Sequence, residues 1–260
     1  MPRQSGYTLI ELIMVIVLLS IVATVSVRFV GLSTQGALDT SARQLRALQS
    51  VVISEQLTRD LREAFPLSVR STGSCIEWLP MEAGTNYLNL PTTDVSQIEI
   101  AEFAQPLSAS NRRVVIYGYG TTTGDIYTGA NPGPVSSLIS SINNTAVPGS
   151  PATISLSASH RFNSTSPARR LFLVGEPVSI CQSGRFLYRY SGYAPASTQP
   201  DPPTVTPEVL AASVTGTVDF RFLPATLQRA AVVQFTFDLV SADGSETTTV
   251  SQEVQIRNVP

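Results

Sequence analysis

Few residues in this chain are of the kinds that do chemistry, and one of them is a carboxylate in an unusual place. Glu11 follows the apolar stretch Tyr7-Thr8-Leu9-Ile10 and precedes residues 12 to 27, which carry no charge. A carboxylate inside a bilayer costs about 2.5–3.5 kcal/mol when central and less near an interface, so a plain anchor has no use for it. An intramembrane acid implies a partner. Cys75 and Cys181 lie more than a hundred residues apart without any close-spaced Cys or His, which argues against a metal site. The single histidine, His160, stands beside Arg161 in a Ser-rich stretch with no nucleophile setting to serve, and is expected in an exposed loop. Gly118-Tyr119-Gly120 and Gly124-Asp125 lack the Gly-Lys-Ser/Thr ending of a phosphate loop and read as a turn between strands. No catalytic residue, cofactor or metal is expected, and the chain does not read as an enzyme.

The element that must position Glu11 is a helix. Tyr7 to Val27 is long enough, at about 1.5 Å per residue, to cross a hydrocarbon core of roughly 30 Å. The segment before it carries Arg3 and is expected to stay cytoplasmic, leaving the remainder outside. A cleaved secretory signal fits poorly, because Ala23-Thr24-Val25 is a weak cleavage site and the conspicuous small residue, Gly6, comes before the apolar run. Helical spacing continues through Leu38, Ala42, Leu45, Leu48, Val52, Leu57, Leu61 and Phe65, so the helix is predicted from about Thr8 to Ala64 or Phe65, stopping before Pro66. Its first half is apolar all round. Its second half, with Arg43, Arg46, Arg59, Asp60, Arg62 and Glu63, is amphipathic and is expected to pack on the rest of the chain. Gly31 and Gly36 interrupt the middle, either as points of local unwinding or simply tolerated at about 1 kcal/mol each.

Beyond the helix the 260-residue chain is rich in Ser, Thr, Gly, Pro and Val, with 14% charged residues and a net charge of −2. All 17 basic residues are Arg, and they form no clustered basic face, so nucleic acid is not an expected partner. Short alternating runs predict strands at Cys75–Leu79, Gln97–Phe103, Arg113–Tyr119, Thr153–Ser157, Arg170–Val174, Val178–Gln182, Phe186–Tyr190, Val218–Leu223, Val232–Val240 and Thr247–Arg257. The last two flank Asp243-Gly244, a hairpin signal. Pro195 to Pro207 reads as a solvated loop without regular structure. Trp78, Tyr117, Tyr119, Tyr188, Tyr190 and Tyr193 are expected to pack in the core and on sheet faces rather than form a ligand platform. The fold class is α+β, a long N-terminal helix packed on a C-terminal antiparallel β-sheet head.

Gly6-Tyr7-Thr8-Leu9-Ile10-Glu11-Leu12 resembles the class III signal of type IV prepilins and type II secretion pseudopilins. The resemblance implies a pilin-like fold and cleavage between Gly6 and Tyr7 by prepilin peptidase, which then methylates the Tyr7 amine. Tyr7 departs from the usual Phe. Glu11 would pair with the N-terminal amine of a neighbouring subunit and set the register between helices, since desolvation cancels much of the Coulombic gain. The implied divisions are a leader 1–6, a transmembrane and assembly helix 7–30, the amphipathic half 31–65, and a β-rich head 66–260 with a Pro-rich loop 194–207. With the head outside the cytoplasm, one Cys75–Cys181 disulfide worth about 2–4 kcal/mol is expected, two buried thiols being the alternative.

The large head points to a minor component. The segments Leu57 to Arg70, Cys75 to Pro80, Pro177 to Cys181, Leu187 to Tyr193 and Gln252 to Pro260 resemble the MSHA pilus biogenesis family of minor pilins, MshO, whereas Thr121 to Arg169 carries no part of the resemblance. That resemblance implies a part in initiating or priming an MSHA-type pilus. It places the chain in the inner membrane as a single-pass protein with a periplasmic head, then in the pilus near its tip. Glu11 implies a place just below the apex, because a tip subunit has no neighbour above it. The implied partners are prepilin peptidase, other minor and major pilins, the inner-membrane assembly platform and the lipid bilayer. The alternatives are an exposed adhesin-type minor pilin and a minor pseudopilin of type II secretion.

Overall fold

A computed structural model describes residues 6, 8–145, 151–224 and 230–256. The chain divides into two compact units, residues 1–49 and 50–260. Helix α1, Leu9–Arg62, is 54 residues long. At about 1.5 Å per residue it is more than twice the roughly 30 Å of a hydrocarbon core.

In the first unit the helix is unbroken through Gly31 and Gly36, and a Cβ at either glycine would meet nothing within 4 Å. Hydroxyls along the helix bond back to its own carbonyls. Ser20 Oγ donates to the Ile16 carbonyl at 2.7 Å, Thr24 Oγ1 to Ser20 at 2.7 Å, and Thr40 Oγ1 to Gly36 at 2.8 Å.

The second unit begins with the last turns of α1. Ile53, Leu57 and Leu61 recur every fourth residue, so they share one helix face, and all three are buried. The helix ends at Arg62, short of the expected Ala64 or Phe65. The cause is competition for the backbone: Glu63 carbonyl accepts from Met81 N at 2.7 Å, Phe65 N donates to Leu79 at 2.8 Å, and Ala64 bridges Pro80. A 3₁₀ turn, Pro66–Ser68, follows.

Two open sheets cover the buried helix face. The first has the order β1-β2-β9-β10-β11: Arg70–Thr72, Cys75–Trp78, Val178–Ser183, Phe186–Tyr190 and Glu208–Ala211. The second has the order β12-β13-β14: Val214–Leu223, Ala231–Val240 and Thr247–Ile256. Their inward side chains, among them Ile76, Trp78, Ile180, Val233, Phe235, Phe237, Val254 and Ile256, form one core with the helix. Ten residue pairs join β13 to β14 from Ala231↔Ile256 to Val240↔Thr247, and Gly244 supplies the positive φ of +75° that their turn needs.

The remaining strands close on themselves. β3 (Met81–Asn89), β4 (Val95–Ile100), β5 (Arg113–Val115), β6 (Val135–Asn143), β7 (Ala152–His160) and β8 (Arg170–Val174) form a closed barrel in the order β3-β4-β7-β6-β5-β8. Its own core contains Ile98, Ile100, Val114, Ile116, Ile154, Leu171 and Leu173. The barrel leaves the first sheet after Trp78 and returns at Val178, two residues that pair directly across β2 and β9. It is therefore an insertion at one sheet position. The unrecognised stretch 121–169 supplies part of it: helix α2 (Thr123–Tyr127), β6 and β7.

The structure corrects several local expectations. The expected strand Arg113–Tyr119 ends at Val115, and its Tyr119 is 87% exposed rather than packed. Four strands were not expected: β1, β3, β6 and β11. Arg257 lies outside the described residues. His160 is not in an exposed loop: it ends β7 with only 3% exposure, its ring edge-on to Phe162 and its Nε2 3.0 Å from the Gly133 carbonyl oxygen.

Candidate processing and assembly site

At the N-terminus Gly6 is exposed, and a Cβ there would meet nothing within 4 Å. Among the described residues nothing places a steric demand for glycine at position 6. Tyr7 lies outside the described residues. Thr8 and Glu11 form a reciprocal cap at the start of α1. Glu11 Oε2 accepts from Thr8 N and from Thr8 Oγ1, both at 2.9 Å, while Thr8 Oγ1 accepts from Glu11 N at 3.3 Å. A Ser or Thr followed three residues later by an acid is a helix-start signature, and here it fixes the carboxylate beside the first turn. Around and after it, Leu9 to Leu32 expose large apolar side chains on every side of the helix. Among the described residues one helix, α1, is long and apolar enough to cross a membrane.

The two cysteines meet. Cys75 on β2 and Cys181 on β9 stand directly opposite in the antiparallel register and are joined by a disulfide with Cα atoms 4.1 Å apart. Asp201 Oδ1 lies 2.9 Å from Cys75 Sγ, and the three residues form the one candidate metal cluster among the described residues. Both thiolates are consumed by the S–S bond, so in this state the cluster is no ligand set.

Next to the disulfide is a buried charge network that sequence reasoning missed. Glu77 on β2 is fully buried. Its Oε2 accepts from Arg70 Nε, and its Oε1 accepts from the Tyr193 hydroxyl at 2.9 Å. The Tyr193 hydroxyl also lies 2.5 Å from Ser179 Oγ. Arg70 stacks over the Tyr127 ring at 3.6 Å, and its terminal nitrogens donate to the carbonyls of Ser197 at 2.9 Å and Ala196 at 2.7 Å. Burial, then the Glu77 charge, pushes the Tyr127 hydroxyl well above its ordinary range; burial does the same to Tyr193.

The Pro-rich loop is consequently held down rather than simply solvated. Gln199 Nε2 donates to the Cys75 carbonyl at 3.3 Å, and Pro203 is buried. Gly73, at φ +57°, turns β1 into β2, and a Cβ there would meet Asp201 Oδ2 at 2.5 Å. The one sequence signal for this network was a charge, Glu77, within an otherwise apolar run.

The phosphate-loop lookalike is a helix cap. Thr122 and Asp125 form a second capping box, at the start of α2, and the hydrogen bonds from Thr122 lower the Asp125 carboxyl below its usual range.

Neither a curated protein nor a solved structure matches the chain. Residues 1–27 match the family model described as the prokaryotic N-terminal methylation motif, and that motif implies processing by prepilin peptidase and assembly with other pilins. Pilins as a family are structural rather than enzymatic. The long apolar helix, the antiparallel β architecture after it and the methylation motif together support a type IV pilin-like or pseudopilin protein anchored in a membrane.

Proposed function

We propose that this chain is a minor type IV pilin that takes part in initiating or priming an MSHA-type pilus. The methylation motif over residues 1–27 carries the pilin-like part of this reading. In this reading 1–6 is the leader, 7–30 the transmembrane and assembly helix, 31–65 its amphipathic half and 66–260 the head. Cleavage falls between Gly6 and Tyr7, and Tyr7 is N-methylated. Glu11 pairs with the N-terminal amine of a neighbouring subunit and sets the register between helices. The cap with Thr8 supports this role, because it holds the carboxylate at the helix start where an incoming amine would meet it.

The size of the head supports a minor component, and the scattered MshO-like segments support an MSHA-type system. The head faces the periplasm, and the chain then enters the pilus just below the apex. Glu11→Ala tests the reading: cleavage remains intact and assembly is impaired, whereas normal assembly of that variant sinks it. The inserted barrel, with Tyr119 exposed on it, favours a second reading, an adhesin-type minor pilin. Deleting the gene separates the two. Loss of all pili supports priming; normal pili that fail to attach support adhesion.

A further inference from the structure

Every open sheet edge is a row of unpaired backbone groups, and soluble proteins blunt such edges with short strands, bulges, Pro or charge. The described sheets of this chain have four. β1 is three residues long. β11 is four residues long, begins with Glu208, and meets β10 through a register shift at Leu187/Tyr188. β12 meets β13 through a register shift between Thr215 and Asp219, with Gly216 at φ +68°. The barrel has no edge at all.

β14 is the exception. It is ten residues long, pairs in unbroken register with β13 and with no other described strand, and contains no Pro and no Lys or Arg. A groove of about 300 Å³ runs beside it, walled by Ser50, Val51, Ser54 and Glu55 of α1 and by Thr249 to Gln252 of β14. Val51 on that wall is 59% exposed.

We propose that β14 is a docking edge that accepts an extended strand from a different protein subunit, one carrying a basic residue. An open ladder of N–H and C=O groups is complementary to another extended backbone, and strand addition is a recurrent mode of recognition. The charged residues on the edge strand and the groove wall, Glu253 and Glu55, are both acidic and both exposed. A second copy would bring another Glu253 and no base from its own β14, so charge complementarity selects a different chain with Arg or Lys at that place. Side chains on one face of the incoming strand would cover Val51, and those on the other would continue the Ser/Thr row of Thr247, Thr249 and Ser251. The inference stands on the sheet and does not depend on the N-terminal motif.

The test is hydrogen–deuterium exchange on the full chain in detergent, with three synthetic ten-residue peptides of alternating Thr and Val: one with a central Arg, one with a central Glu, one with a central Pro. The Arg peptide is expected to slow exchange of the outward amides of 247–256, the Pro peptide to have no effect, and the Glu peptide to bind less well by up to about fivefold, as for an exposed charge pair. Glu253→Arg, on the exposed sheet face, is expected to reverse the preference between the Arg and Glu peptides while leaving the exchange of β13 unchanged. The proposal is overturned by protection that is equal for all three peptides, by none, or by protection that rises with the concentration of the chain alone, which would make the occupant a second copy.

Discussion

Replacing Glu77 with Gln keeps the shape of the side chain and removes its charge, leaving the partly buried Arg70 guanidinium beside a neutral amide. Breaking a buried ion pair by removing one partner costs about 3–5 kcal/mol. Arg70 keeps the Ser197 and Ala196 carbonyls and the Tyr127 ring, so the lower end, about 3 kcal/mol, is expected. For a domain of this size 1 kcal/mol moves Tm by about 2–4 °C, so Glu77→Gln should lower it by roughly 6–12 °C. Circular dichroism melting of the full chain in detergent, with the disulfide intact, reads the shift. The paired variant Arg70→Met with Glu77→Leu removes both charges together and should recover about 2 kcal/mol of that loss, because an apolar pair needs no hydration. It should also release the Pro-rich loop, seen as faster proteolysis between 194 and 207. A Glu77→Gln melt within about 2 °C of the parent, or a paired variant as unstable as the two single losses added, would refute the assigned network.

Three further outcomes follow from the disulfide, from Tyr193 and from the β13–β14 turn. Cys75→Ala with Cys181→Ala opens a link of sequence separation 106, for which chain entropy gives at most about 4.8 kcal/mol; a lowered Tm with the β2–β9 pairing retained is expected, and an unchanged Tm would contradict the bridge. Tyr193→Phe removes a donor to a buried charge, a loss of about 1.5–3 kcal/mol read by denaturant unfolding. Because burial raises the Tyr193 hydroxyl, its stabilisation is complete below about pH 10 and is lost as pH rises beyond it, so the variant should show a shallower alkaline limb. Asp243 is lowered to about 2 by the Ser241 and Ser245 hydrogen bonds, so its contribution is complete above about pH 4 and is lost as pH falls through about 2; an NMR carboxyl titration checks it, and Asp243→Asn should flatten the acid limb.

What was legible in the sequence was local. The helix followed from an apolar run and its continuing period, and the β13–β14 hairpin from Asp243-Gly244 between alternating strands. β8 and β10 match their expected bounds, Arg170–Val174 and Phe186–Tyr190, because both are short apolar or aromatic runs between turn residues. The barrel was hidden because β3 and β6, with Gly84, Asn86 and Asn89 in one and four Ser in the other, dilute the alternation that marks a strand. Closure is also a property of pairing between distant strands, which no window of residues reports. His160 misled for the same reason. Its immediate neighbours are polar, and the Gly133 carbonyl that meets its ring comes from a distant position in the sequence. The network around Glu77 joins positions 70, 77, 127, 179 and 193, and sequence spacing says nothing about their meeting.

The central claim is that this chain is cut before its apolar helix and methylated there. Intact-mass and N-terminal peptide spectrometry of the chain purified from membranes tests it most directly. The expected species begins at Tyr7, lacks residues 1–6 and carries one methyl group on its α-amine; a chain that keeps Met1 to Gly6, or one cut after the apolar run, would contradict it.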